Sequence, residues 1–140
     1  MLFRYTLNFD MKTKILIVED NHDFRNMVKC FLEKQGFGFE VLEAPTGLLG
    51  VEKALEQRPN IILMDIRLPS LNGIEASSQI KKIFPECKII ILTMFESPRE
   101  REVFKNDNID DFLGKSEVYE KLIPTIQKYL KESFDATQDS

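Results

Sequence analysis

Two hydrophobic periods take turns along the chain. Five short runs rich in β-branched and aliphatic residues, Lys14 to Val18, Phe39 to Glu43, Ile61 to Met64, Lys88 to Leu92 and Asp110 to Leu113, are separated by segments of helical period. This alternation predicts a parallel sheet covered by helices on both sides. KILIV and KIIIL are almost continuously apolar, as expected of strands buried on both faces, so they should lie near the sheet centre.

The first helix is the clearest, with Phe24, Met27, Val28, Phe31 and Leu32 at i, i+3, i+4, i+7 and i+8. Gly36 should end it as a left-handed C′ residue. Thr46 is the expected cap of a second helix that turns Leu48, Val51 and Leu55 inward and stops at Pro59. Asn72 and Glu75 resemble a capping box for a third helix closed by Pro85. Ser97, Pro98 and Glu100 supply a cap, an N1 proline and a capping glutamate for the fourth. That helix is mostly charged from Arg99 to Lys105, leaving Val103 and Phe104 to anchor it, and it should be among the least firmly packed elements. Leu122, Ile123, Ile126 and Leu130 mark a fifth helix, which Pro124 should delay or kink.

With 140 residues, 43% of them apolar and 30% charged, the chain has room for one soluble domain and one sizeable core. The expected organisation is an unassigned extension over residues 1–10, a domain over 11–132 and a disordered tail over 133–140. A net charge of −4 offers no clustered positive field, which argues against direct nucleic-acid binding. No apolar run approaches the roughly 20 residues that cross a bilayer, and a signal-peptide pattern is missing at the start; no membrane association and a cytoplasmic location are expected. Cys30 and Cys87 lack metal-type or redox-type spacing and are read as packing residues. His22 is read as a partly exposed first-turn residue rather than a ligand or phosphohistidine.

Ligands of parallel α/β sheets bind beyond the C-terminal ends of the strands. Glu19 and Asp20 follow the first strand, Asp65 the third, Thr93 the fourth, and Lys115 stands just past the fifth. With strand order 2-1-3-4-5 these ends converge on one pocket. Three crowded carboxylates require a compensating cation or proton. Oxygen-only ligands point to a hard cation, and Mg2+, which binds through one or two carboxylates plus phosphate oxygens, suits a site open to a phosphoryl group. There Asp65 could act as nucleophile, with Lys115 and Thr93 on the phosphoryl oxygens.

From about Lys14 to Leu130 the chain resembles the receiver domain of two-component response regulators. ILIVED carries the acidic pair, IILMDIRLPSLNGIE surrounds the phosphoacceptor, IIILTMF supplies the hydroxyl, and DDFLGK supplies the aromatic and the lysine. The resemblance implies a flavodoxin-like α/β fold: one five-stranded parallel sheet, order 2-1-3-4-5, helices on both faces. It implies that Asp65 is the phosphoacceptor, that Asp20 and Asp65 ligate Mg2+ (Mn2+ could substitute), that Glu19 contributes through water, and that the Arg67 backbone carbonyl is a further ligand. Thr93 and the aromatic Phe112 would be switch residues that alter the face formed by the fourth helix, fifth strand and fifth helix. The implied partners are a histidine kinase or phosphotransfer protein and a downstream protein effector, with a homodimer through that same face as an option. The chain would be no conventional enzyme, catalysing only its own phosphorylation and dephosphorylation.

ILTMF and the Gly-Lys pair without a following proline look most like the subgroup usually joined to a helix-turn-helix output domain, although only 25 residues follow Lys115 here. Ser116 stands where many receivers carry that proline, and Asn108 and Ile109 replace a common Gly-Ala pair. Phe112 lacks a hydroxyl, so its signal would be packing alone. Arg67, Met94 and Phe95 should surround the pocket mouth, where their bulk is expected to slow water attack. Two rivals are weaker. A haloacid-dehalogenase-type enzyme needs an Asp where Arg67 stands, and a pseudo-receiver would have no use for the full set of chemical groups.

Overall fold

The computed structural model describes residues 12–94 and 98–139. Five strands, β1 (Lys14–Val18), β2 (Glu40–Ala44), β3 (Ile61–Asp65), β4 (Lys88–Thr93) and β5 (Asp111–Gly114), alternate with helices α1 (His22–Glu33), α2 (Gly47–Gln57), α3 (Gly73–Ile83), α4 (Pro98–Phe104) and α5 (Val118–Asp139). All pairings are parallel and the strand order is β2-β1-β3-β4-β5. Each strand lies within one residue of its expected position, and the flavodoxin-like fold is as read from the sequence.

Side chains on successive strand residues point to opposite faces, and the two cores divide accordingly. Leu16, Val18, Ile62, Met64, Ile89 and Ile91 meet Val51 and Ala54 of α2 and Ala76 and Ile80 of α3. Ile15, Ile17, Ile61, Leu63, Ile90 and Leu92 meet Val28 and Leu32 of α1 and Val118, Leu122 and Ile126 of α5. The all-buried pattern of β3 and the near-continuous burial of β1 and β4 follow from this double covering. Cys87 is packed in the first core, where burial pushes its thiol up to about 11.

Several local expectations need correction. Leu48 does not turn inward; it is 60% exposed. The inward face of α2 begins instead with Gly47 and Gly50, because backbone and Val18 approach so closely that a Cβ on Gly47 would lie 2.1 Å from the Leu71 carbonyl oxygen. Gly36 is left-handed at φ 79°, but it follows a cap at Lys34 and so sits one position beyond C′. Asn72 caps Glu75 N–H at 2.9 Å, whereas Glu75 answers through the Asn72 side-chain amide rather than its backbone. Pro124 does not delay α5: Val118, Leu122, Ile126 and Tyr129, spaced on one face, are buried and hold its first turns against the sheet. The same helix continues through residues 133–139, part of the expected tail, where no Gly or Pro interrupts it. The Ser97 cap and residues 1–10 fall outside the described residues, as do the side chains of Val103 and Phe104.

At the sheet floor, where the strands begin, Asp110 ties four elements together. Its Oδ2 accepts from Lys81 Nζ of α3 and from the backbone N–H of Ile89 in β4, both at 2.8 Å, and its carbonyl accepts from Tyr129 of α5 at 2.9 Å. Asp110→Ala would orphan the buried Ile89 amide and leave Lys81 unpaired, so it should cost about 2–4 kcal/mol. Asp110→Asn, which can keep the acceptor for Ile89, should lose roughly half as much. Urea midpoints at unchanged m-value check this ordering, and equal losses in the two variants would count against it.

Candidate functional site

The opposite rim of the sheet gathers the acids. Register places Val18 beside Met64, so Glu19 leaves β1 next to Asp65 at the end of β3. Glu19 extends the ladder by donating its N–H to the Ala44 carbonyl at 3.0 Å. Asn21 caps α1 by accepting from Phe24 N–H at 2.8 Å, which turns the chain sharply after Asp20. At the end of β3 the Arg67 N–H donates to Asp65 Oδ1 at 3.3 Å. Gly73 opens α3 against the same strand end, its N–H bonded to the Ile66 carbonyl at 2.9 Å.

Carboxylate oxygens of Glu19, Asp20 and Asp65 all lie within 4.8 Å of one another. Glu19 is fully buried, Asp65 is 6% exposed and Asp20 is open to solvent. Lys115, just past β5, donates its ammonium to Glu19 Oε1 and stands 3.6 Å from Asp65 Oδ2. It also lies 4.7 Å from the centre of the Phe24 ring, a cation–π placement that holds the stem beside the acids. Burial first, and then the neighbouring Asp65, push the Glu19 carboxyl up to about 8, while Lys115 pulls it down. Glu19 Oε2 is buried and has no hydrogen-bond partner among the described residues. One ammonium therefore does not satisfy the cluster. The unpartnered oxygen, the close carboxylates and the all-oxygen donor set fit a hard divalent cation such as Mg2+.

Thr93 ends β4 opposite Gly114 and is partly exposed. It lies one residue beyond Leu92, the register partner of Asp65. Five residues singled out from the sequence, Glu19, Asp20, Asp65, Thr93 and Lys115, thus occupy the strand ends of one rim. Phe112 sits in β5, partly buried against the core shared by α2 and α3. The Arg67 side chain is exposed and Met94 is 69% exposed, while Phe95 lies outside the described residues. His22 is an exposed first-turn residue of α1. Asn108 does not adopt a left-handed conformation, and the Lys115–Ser116 peptide is trans.

One residue at this rim was not legible as part of the site. Arg25, on the second turn of α1, donates from its Nη1 to the Glu19 backbone carbonyl at 2.8 Å and from its Nε to Glu43 Oε1 at 3.1 Å. In sequence it is a single charge within an amphipathic helix, and its only signal is an acid that β2 brings opposite.

The family model of the response regulator receiver domain matches residues 15–127. The chain is 31% identical over 124 residues to the response regulator protein VraR of Staphylococcus saprophyticus, covering 88% of this chain and 59% of that protein. Against VraR of Staphylococcus aureus the identity is 30% over 118 residues, covering 84% and 56%. The chain therefore spans somewhat more than half the length of these relatives. Among solved structures, a DNA-binding response regulator of the LuxR family from Staphylococcus aureus superposes with a TM-score of 0.75 at 29% identity, covering 84% of this chain and 98% of that one. The response regulator domain of Thermotoga maritima CheB superposes at 0.76 with 27% identity, covering 86% and 97%. Among the described residues no helix is long and apolar enough to cross a membrane. With the rim geometry, the sheet order and a family match over most of its length, the chain belongs to the response regulator receiver domains, the signal-receiving modules of two-component systems.

Proposed function

We propose that this receiver is a phosphoacceptor switch in which Asp65 takes a phosphoryl group from a kinase or phosphotransfer-protein phosphohistidine. The observation that carries the reading is the convergence of Asp65, two further carboxylates and the Lys115 ammonium at one rim. Asp20 and Asp65 would ligate Mg2+, or Mn2+ in its place, with Glu19 acting through water and the Arg67 carbonyl completing the protein's share. The cation, when bound, supplies positive charge to the phosphoryl oxygens. Asp65 attacks phosphorus in line, the P–N bond to the donor imidazole breaks, and the imidazole leaves with the bonding pair. Lys115, released in part from the acids, contacts one phosphoryl oxygen, and the Thr93 hydroxyl contacts another. Arg67 and Met94 would flank the mouth and slow the entry of water. Thr93 and Phe112 would pass the change to the face of α4, β5 and α5, where an effector or a second copy could bind, in the cytoplasm.

Beryllofluoride or acetyl phosphate with Mg2+, followed by intact-protein mass for the latter, tests this directly. The unaltered chain should gain one phosphoryl group, and Asp65→Asn and metal-free protein should gain none. Absence of any adduct on the unaltered chain would favour a phosphorylation-independent interaction module instead.

A further inference from the structure

Glu19 and Asp20 are joined by a peptide whose carbonyl, that of Glu19, accepts from Arg25 Nη1 at 2.8 Å. Arg25 is itself fixed. Its Nε donates to Glu43 Oε1 at 3.1 Å, its guanidinium side chain is only 13% exposed, and its own N–H bonds back to the Asn21 carbonyl at 3.0 Å. Glu43 is held in turn by Lys29 Nζ on Oε2 at 3.2 Å and by Lys53 Nζ on its carbonyl at 3.0 Å. Together the Lys29 and Arg25 hydrogen bonds outweigh the burial that would raise Glu43, and hold its carboxyl below the usual range.

The planar guanidinium forks between a backbone carbonyl and a carboxylate, which a lysine ammonium on a single stem does less well. Because the peptide unit is planar, a hydrogen bond that holds its carbonyl oxygen restrains rotation of the whole unit. The plane after Glu19 sets the direction in which the exposed Asp20 carboxylate leaves the backbone. Arg25 touches no acidic side chain of the cluster in the described contacts, since its charge is taken up by Glu43.

We propose that Arg25, anchored by Glu43, is a positioning residue for divalent-cation binding: it fixes the Glu19–Asp20 peptide so that Asp20 faces Asp65. This inference rests on the cation-dependent reading of the rim. Electrostatics alone gives the opposite expectation, because removing a nearby positive charge favours a bound cation. The sign of the change therefore separates positioning from simple field effects.

The test is Mg2+ titration calorimetry on the full chain, with thermal unfolding recorded in parallel. Arg25→Met should raise the Mg2+ Kd about tenfold, in the range typical of groups that orient ligands. Arg25→Lys, which keeps the charge but not the fork, should weaken binding in the same direction. Lys29→Met removes the other cation on the Glu43 carboxylate while leaving both Arg25 hydrogen bonds in place, and should leave Kd within about twofold, well inside the effect expected of an orienting group. Should Arg25→Met fail to fold, Arg25→Lys carries the comparison. Unchanged or tighter Mg2+ binding in the folded Arg25 variants would overturn this inference alone. No Mg2+ binding by the unaltered chain would overturn the reading of the rim and this inference with it.

Discussion

Gly73→Ala is expected to destabilise the domain by about 3 kcal/mol, at the upper end of what overpacking usually costs. An added Cβ would lie 2.2 Å from the Asp65 carbonyl oxygen, 2.9 Å from its carbonyl carbon and 3.0 Å from Ile66 Cα. All three are backbone atoms of the strand end that carries Asp65, so no side chain can swing aside. Helix propensity favours alanine over glycine by about 1 kcal/mol at most in a helix interior, and by less at a first position. The clash therefore wins. Relief requires α3 to retreat from β3, which breaks the Gly73 N–H bond to the Ile66 carbonyl and loosens the turn that presents Asp65. Chemical denaturation should show the loss, and beryllofluoride affinity should fall with it. A variant as stable as the original would show that α3 can shift freely, contrary to the contact described.

Asp65→Asn should move stability and response in opposite directions. In metal-free buffer at about pH 9, above the value of about 8 to which the Glu19 carboxyl is pushed, the two buried carboxylates less than 5 Å apart repel by about 3 kcal/mol at an effective dielectric near 20, and Lys115 offsets part of this. A neutral amide removes the repulsion, and its oxygen can still accept from the Arg67 N–H. The variant should then melt about 5 °C higher than the unaltered protein, the shift that one to two kcal/mol gives a domain of roughly this size. Saturating Mg2+ should reverse the order: ligand at about 100 times Kd stabilises the unaltered chain by roughly 2.7 kcal/mol and should do little for the variant. Melting curves with and without Mg2+ check both halves. A variant that melts lower without metal would mean that the acids are already balanced by Lys115.

The strand ends were legible because apolar periodicity locates where a buried strand stops, and the chemistry stands at those stops. Glu19, Asp20, Asp65, Thr93 and Lys115 each follow such a run, so sheet order alone brings them together. What stayed hidden depends on close approach or on long-range partners. Counting large apolar residues turned Leu48 inward, whereas α2 faces the sheet through Gly47 and Gly50, whose lack of a Cβ is what permits contact. Pro124 read as an interruption, because the burial of Val118 that overrides it is a tertiary fact. Arg25 and Asp110 each read as an ordinary charge. Their partners, Glu43 and the Glu19 carbonyl for one, Lys81 and Ile89 for the other, are 18 and 6, and 29 and 21 residues away.

The Asp110 knot and the acidic rim occupy opposite ends of β4, separated by roughly 13 Å of extended chain between Ile89 and Thr93. A strand pinned at its base is least free to move beside the pin, so any displacement on switching is expected at the far end. Reporter groups meant to follow signalling therefore belong near Thr93, while those meant to serve as an immobile reference belong near Lys81, where the chain is expected to keep its place through every cycle.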